Sequence, residues 1–248
     1  MKRLVLLLMS LAPLAFAAST PANKSAPPVA KEFAPIVDDP KLPRVLIIGD
    51  SVSVAYTLDV RKNLAGVANV HRIAANGGST RTALGDYGLG RWINPGEKWD
   101  VIHFNEGLHD LSYRFPDDRD KNDKGEYASP TNGGRPNVSL EQYEKNLRLI
   151  IARLKQTGAK LIFGSTTPVP ESDATKYVKD SELPYNAVAK KVMTEEGVTW
   201  NDLWAAVKPK QDQLQGKRNV HFMASGSAVL AKQVAEAITR ELPQRSSK

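Results

Sequence analysis

Val45, Leu46, Ile47 and Ile48 are apolar at every position, and the run stops at Gly49. A strand with one face in water alternates apolar and polar residues. A strand that is apolar throughout is buried on both faces, the environment of a parallel sheet sandwiched between helices. The chain has the spacing to repeat this unit. Further strand candidates lie at residues 67–73, at 100–105 (Asp-Val-Ile-His-Phe-Asn), at 160–164 (Lys-Leu-Ile-Phe-Gly) and at 198–200 (Val-Thr-Trp). Each connection between them is long enough for a parallel crossover, whose favoured hand is right. The pattern predicts an α/β chain: a three-layer α/β/α sandwich around a central parallel sheet of about five strands.

The intervening segments read as helices. Over residues 51–64, Val52, Tyr56, Val60 and Leu64 recur every four positions along one side. Residues 139–157 give the clearest signal: Ser139 and Gln142 have capping-box spacing, Leu147, Ile150, Ile151 and Leu154 share a face, and Gly158 follows as a stop. Residues 185–196 end at Gly197, and residues 225–242 close the chain with Val229, Leu230, Val234 and Ile238 inward.

The N-terminus carries a different signature. Lys2 and Arg3 precede a short apolar stretch at residues 4–14, and Ala15-Phe16-Ala17 has the small-x-small form of a cleavage site. This predicts a signal peptide over residues 1–17, a mature chain beginning near Ala18, and a periplasmic or secreted protein. The competing expectation is a retained N-terminal anchor helix. The stretch is short for a membrane span and no later segment is long and apolar enough, so no stable membrane insertion is expected. Residues 18–43, rich in Pro, Ala, Ser and Lys, read as a flexible leader, with order beginning at Arg44.

Composition narrows the chemistry. There is no cysteine, which excludes a thiol nucleophile, a disulfide framework and thiolate metal sites. The formal charge of +7 becomes +5 once Lys2 and Arg3 are removed. The basic residues are scattered and do not alternate with aromatics, so no nucleic-acid partner is expected. A mildly basic exported protein instead favours anionic surfaces or acidic glycans.

Ligands of such sheets bind beyond the carboxyl ends of the strands. After the first strand, Gly49-Asp50-Ser51 puts a hydroxyl at a helix N-terminus, where a developing anion is favoured. A lone motif of this kind is more often a helix cap. After the second strand, Asn76-Gly77-Gly78-Ser79-Thr80 allows close backbone approach and offers N–H donors. After the third, Asn105-Glu106-Gly107-Leu108-His109-Asp110 gathers polar groups. Of the four histidines, His71 and His103 read as structural, His109 as a supporting group, and His221 lies in a loop from which a base could reach Ser51. Each signal is weak alone, but together they occupy successive strand ends in chain order.

In that order the chain resembles the SGNH/GDSL hydrolases, over about residues 44–242. Their first block is Gly-Asp-Ser, as in Gly49-Asp50-Ser51; the second supplies an oxyanion glycine, as in Gly78-Ser79-Thr80. The third, Gly-x-Asn-Asp, is matched in part by Gly107-Leu108-His109-Asp110, and the last carries a histidine, here His221. Two longer strings, Asn105 to Leu111 (Asn-x-Gly-Leu-His-Asp-Leu) and Thr166 to Pro170 (Thr-Thr-Pro-Val-Pro), look like an exported bacterial subgroup of the family. The resemblance implies a flavodoxin-like fold and a cofactor-free, metal-free serine esterase. Ser51 would be nucleophile and His221 base, and the oxyanion would be held by Ser51, Gly78 and Asn105. Asp50, Gly77, His109, Asp110 and Asn219 would support them. The implied substrate is a short-chain ester, acetyl above all, on a small molecule or polysaccharide.

Two departures stand out. The family's oxyanion Asn is His109 here, and Asn105 is preferred as donor because an amide donates at every pH. The family's acidic residue three before the histidine is Arg218, followed by Asn219. That leaves a Ser–His dyad, or a histidine oriented by a backbone carbonyl or a distant acid. Residues 112–138 read as an insertion beside the site, and Trp92, Trp99, Trp200 and Trp204 read as core before sugar platforms. Alternatives are a glycan-binding module on a decayed hydrolase fold, a lipase or thioesterase, and a phosphate or nucleotide binder using the Gly49 loop.

Overall fold

A computed structural model describes residues 30–94, 96–115, 127–172 and 175–243. The predicted signal peptide and the centre of the predicted insertion lie outside the described residues. In chain order the elements are β1 (Arg44–Ile48), α1 (Ser51–Asn63), β2 (Asn69–Arg72), α2 (Thr80–Leu84), α3 (Leu89–Trp92), β3 (Val101–Phe104), β4 (Tyr113–Arg114), β5 (Arg135–Pro136), α4 (Leu140–Lys155), β6 (Lys160–Gly164), α5 (Glu182–Glu196), β7 (Thr199–Asn201), α6 (Leu203–Val207), α7 (Gln211–Leu214) and α8 (Ala224–Glu241).

Five strands form one parallel sheet in the order β2-β1-β3-β6-β7. Helices α1 and α8 pack together as one outer layer, and α4 packs with α2 and α5 as the other. The apolar run of β1 is buried throughout, at 0–2 % exposure from Val45 to Ile48. Burial on this scale stabilises the fold by about 1.5–3 kcal/mol per large aliphatic side chain. The strand order reverses at β1, with β2 on one side and β3 on the other. This is the switch point at which ligands bind in such sheets.

Several expectations needed revision. Ser139 caps α4 by accepting from the Gln142 N–H, but the Gln142 side chain turns inward to Asn146 (2.8 Å) instead of back to the cap. Asn146 is buried and in turn donates to Thr80, so a partner in α2 outcompetes the local box. Residues 30–43 are not a loose leader over their described length. Asp38 bonds both Arg44 and His71, Asn69 bonds the Asp39 and Leu42 carbonyls, and Phe33 lies under the Arg72 guanidinium. The sequence shows no apolar period there because these contacts are polar and tie the segment to β2. Within the predicted insertion, β4 and β5 pair antiparallel, and Asn137 and Val138 bond back to Ser112 and Asp110, closing its base.

Candidate active site

Asp50 sits just before α1 in extended conformation, and its carboxylate accepts from the Val52 N–H (2.9 Å). The capping role therefore belongs to Asp50, and the Ser51 hydroxyl is left for another partner. That partner is His221, 170 residues away, with Ser51 Oγ and His221 Nε2 2.9 Å apart. Among the described residues the Ser51 N–H makes no hydrogen bond, so it is an open donor at the positive end of a 13-residue helix.

The orientation of His221 follows from Asn219. Asn219 Oδ1 lies 3.0 Å from the His221 backbone N and 2.9 Å from His221 Nδ1. A backbone N–H can only donate, so the Asn219 atom facing it is the oxygen. The same oxygen then accepts from Nδ1, which carries the proton, and Nε2 keeps its lone pair toward Ser51. Asn219 thus stands where the sequence left a dyad, a carbonyl or a distant acid open. Its side-chain carbonyl does the orienting, in a turn closed by Gly216 N–H to His221 O (2.8 Å) and Asn219 N–H to Gly216 O (3.0 Å).

The remaining expected residues separate into two groups. Gly78 has φ of +72°, which favours glycine, and its N–H donates to Asn76 Oδ1 at a long 3.2 Å. The Gly77 N–H is committed to the Gly49 carbonyl (2.9 Å), and a Cβ at Gly77 would meet the Gly49 backbone at 3.0 Å. Gly77 is therefore needed for the close approach of the two loops and is no open donor. Asp110 is buried and joins the third-strand loop to the second: both its oxygens accept from the Thr80 N–H, and the Thr80 hydroxyl donates to it as well.

Asn105 is buried, and one of its amide N–H groups donates to the Gly164 carbonyl at 2.7 Å. Its side chain faces a small space under α1 that it shares with Val52, Tyr56 and Leu203. His109 is half-buried, and its backbone carbonyl is fixed by Ser112 and Asn137. His71 bonds Asp38 and packs edge-on to Trp99, while His103 is buried against Asn201 (3.1 Å). Burial lowers the His103 pKa to about 4, so this histidine is neutral in the fold. Trp99 is buried, and Trp92 and Trp200 pack against the core; Trp204 is half-buried and donates to Glu182.

Sequence reading passed over Arg72. It lies buried under the Gly49-Asp50-Ser51 turn and donates to Ser53 Oγ (2.7 Å), the Gly49 carbonyl (2.9 Å) and the Ala75 carbonyl (3.2 Å). Burial lowers its pKa to about 10, which still leaves it charged at neutral pH. One cation thus latches the loop after β1 to the loop after β2. An arginine inside a four-residue strand carries no periodic signal that could have announced this. Among the described residues no group of His, Asp and Glu is arranged to hold a metal, and no helix is long and apolar enough to cross a membrane.

Comparison with known proteins bears on the fold and the family. Solved structures similar to the chain include a lipase/acylhydrolase from Enterococcus faecalis (18% identity, TM-score 0.64, covering 83% of this chain and 100% of that one). Another is Axe2, an acetylxylan esterase from Geobacillus stearothermophilus (19%, 0.55, 83% and 97%). A third is the acetyl xylan esterase AlAXEase (15%, 0.58, 79% and 99%). At these identities the likeness establishes the fold. No curated protein sequence matches the chain. The family model described as GDSL-like lipase/acylhydrolase matches residues 47–229, from β1 into α8. The chain belongs to the GDSL-like lipase/acylhydrolase family.

Proposed function

We propose that the protein is a serine esterase that removes short acyl groups, acetyl above all, from carbohydrate. The observation that carries this reading is the hydrogen-bonded line Ser51–His221–Asn219, with the imidazole held in the tautomer a general base requires. His221 Nε2 takes the Ser51 proton as Oγ attacks the ester carbonyl. The tetrahedral oxyanion accepts from the Ser51 N–H at the start of α1 and from the Gly78 N–H, which exchanges its long bond to Asn76 for the stronger charged acceptor. The imidazolium gives its proton to the leaving sugar oxygen, and the C–O bond breaks to leave acyl-Ser51. Water, deprotonated by His221, then releases the acid and returns the proton to Ser51.

For the third donor we favour His109 over Asn105, one of whose two amide N–H groups is held by the Gly164 carbonyl. The Asn105 amide is buried and engaged with Gly164, whereas His109 is the half-exposed polar group of the same loop. Asn219 orients the imidazolium but brings no negative charge to stabilise it, which favours easily cleaved esters over amides. The carbohydrate assignment is supported by the acetylxylan esterases among the structural neighbours. The leader at residues 1–17 supports export.

The test is hydrolysis of p-nitrophenyl acetate, butyrate and octanoate by wild type, Ser51→Ala and His221→Ala. Turnover should be confined to short chains and fall by at least about 10³-fold in either variant. Wild-type rates in either variant would refute the scheme, and a preference for octanoate would turn the reading to a lipase.

A further inference from the structure

The turn that carries Asn219 and His221 is also one wall of a cleft of about 630 Å³, within the size range of small-molecule sites. Its lining includes four cations, Lys179, Lys208, Lys217 and Arg218, against two carboxylates, Glu171 and Asp212. Two of the cations are partly neutralised: Arg218 pairs with Glu171 at 3.5 Å, and Lys208 with Asp180 at 3.4 Å. Among the described residues Lys179 and Lys217 have no ion-pair partner, and both are exposed.

Arg218 has a backbone φ of +54°, an unfavourable conformation for a residue with a Cβ. This left-handed residue sits inside the turn between Gly216 and His221. Asn219 faces the imidazole, and the preceding guanidinium reaches Glu171 on the far side of the cleft. The position at which the resemblance expects an acid for the histidine has therefore become a cation of the neighbouring cleft. A neutral saccharide gains little from so many cations, whereas a carboxylate-bearing one finds charge-assisted donors for each acid group.

We propose that this cleft holds the anionic part of the ester substrate, a carboxylate-bearing saccharide whose acyl group reaches Ser51. The assignment rests on the esterase reading and names the substrate class of the same site. Its test separates the two. Binding of de-esterified oligogalacturonide and of a neutral xylo-oligosaccharide of equal length is measured by calorimetry on Ser51→Ala. Turnover of p-nitrophenyl acetate by the wild type is recorded alongside. At about 20 mM salt the uronate should bind at least about tenfold tighter than the neutral sugar, and the preference should vanish at about 500 mM. It should also vanish in Ser51→Ala carrying Lys179→Glu and Lys217→Glu, both surface positions. Equal binding of the two sugars, or a preference that survives both salt and charge reversal, overturns the cleft assignment and leaves the esterase reading intact. Absence of Ser51-dependent turnover overturns the esterase reading and, with it, the assignment of the uronate as substrate.

Discussion

The two residues proposed as nucleophile and base, Ser51 and His221, are held by different physics. Ser51 sits on a turn fixed from inside the sheet. Asp50 caps α1, the buried Arg72 grips the carbonyls of Gly49 and Ala75, and Gly77 presses against the Gly49 backbone. His221 sits on an exposed turn whose base is anchored by the buried Gln215, which donates to the Val220 and Pro168 carbonyls. Asn219 and Gly216 are its partners, two and five residues away, and neither is charged. Buried networks of this kind resist change because each lost partner leaves an unsatisfied polar group. A surface turn can exchange its chemistry at little cost to the fold. The difference accommodates an intact Gly-Asp-Ser turn together with a histidine whose partner is the Asn219 amide and not an acid.

The contrast can be broken or sharpened at several positions. The largest effect is expected on the sheet side, among the oxyanion donors. His109→Ala should lower kcat by about 10²–10³-fold with little change in stability. Asn105→Ala should instead destabilise the protein, since the Gly164 carbonyl loses its donor. Loss of turnover confined to a well-folded Asn105→Ala would restore Asn105 as the donor.

A smaller effect is expected on the base side. Asn219→Ala should lower kcat about 10²-fold with an unchanged melting temperature, because the tautomer is no longer fixed. Asn219→Asp should equal or exceed the wild type, because a carboxylate also stabilises the imidazolium. An Asn219→Asp variant slower than Asn219→Ala would show that the turn requires the amide.

The smallest concerns a histidine buried in β3. The folded-state pKa of His103, about 4, lies below its ordinary value of 6.5. The unfolded chain therefore binds the extra proton first as pH falls. The stability this buried neutral ring contributes is complete above about pH 6.5, declines between 6.5 and 4, and levels off below. Between pH 7 and 5 the loss should be about 2 kcal/mol, read from urea unfolding as a difference between wild type and His103→Gln. Equal acid sensitivity of the two would show that His103 is not the group responsible.

How much of this was legible in the sequence depended on how each feature is encoded. β6 was read to the residue and β1 to within one, because a doubly buried strand writes itself as a continuous apolar run. The ends of α4 and α5 were visible through Ser139, Gly158 and Gly197. The short helices α2, α3, α6 and α7 were missed, since four or five residues are too few to show a period. In the candidate site, the pairing of Ser51 with His221 was anticipated because the two residues follow the block order of a known family, and the structure brings them to 2.9 Å although His221 lies in a loop after α7 and not at a strand end. Arg72 acts through tertiary contacts across two loops, whereas Asn219, expected only as a supporting residue, orients His221 within a turn in which Arg218 adopts a rare backbone conformation. The attachment of residues 30–43 escaped for the same reason: it rests on polar pairs such as Asp38–His71 that no local pattern announces.

The most direct test of the account is covalent labelling with a fluorophosphonate, mapped by peptide mass spectrometry. The account predicts a single adduct on Ser51 in the wild type, strongly reduced in His221→Ala and intermediate in Asn219→Ala. An adduct on another residue, or Ser51 labelled at the same rate without His221, would contradict it.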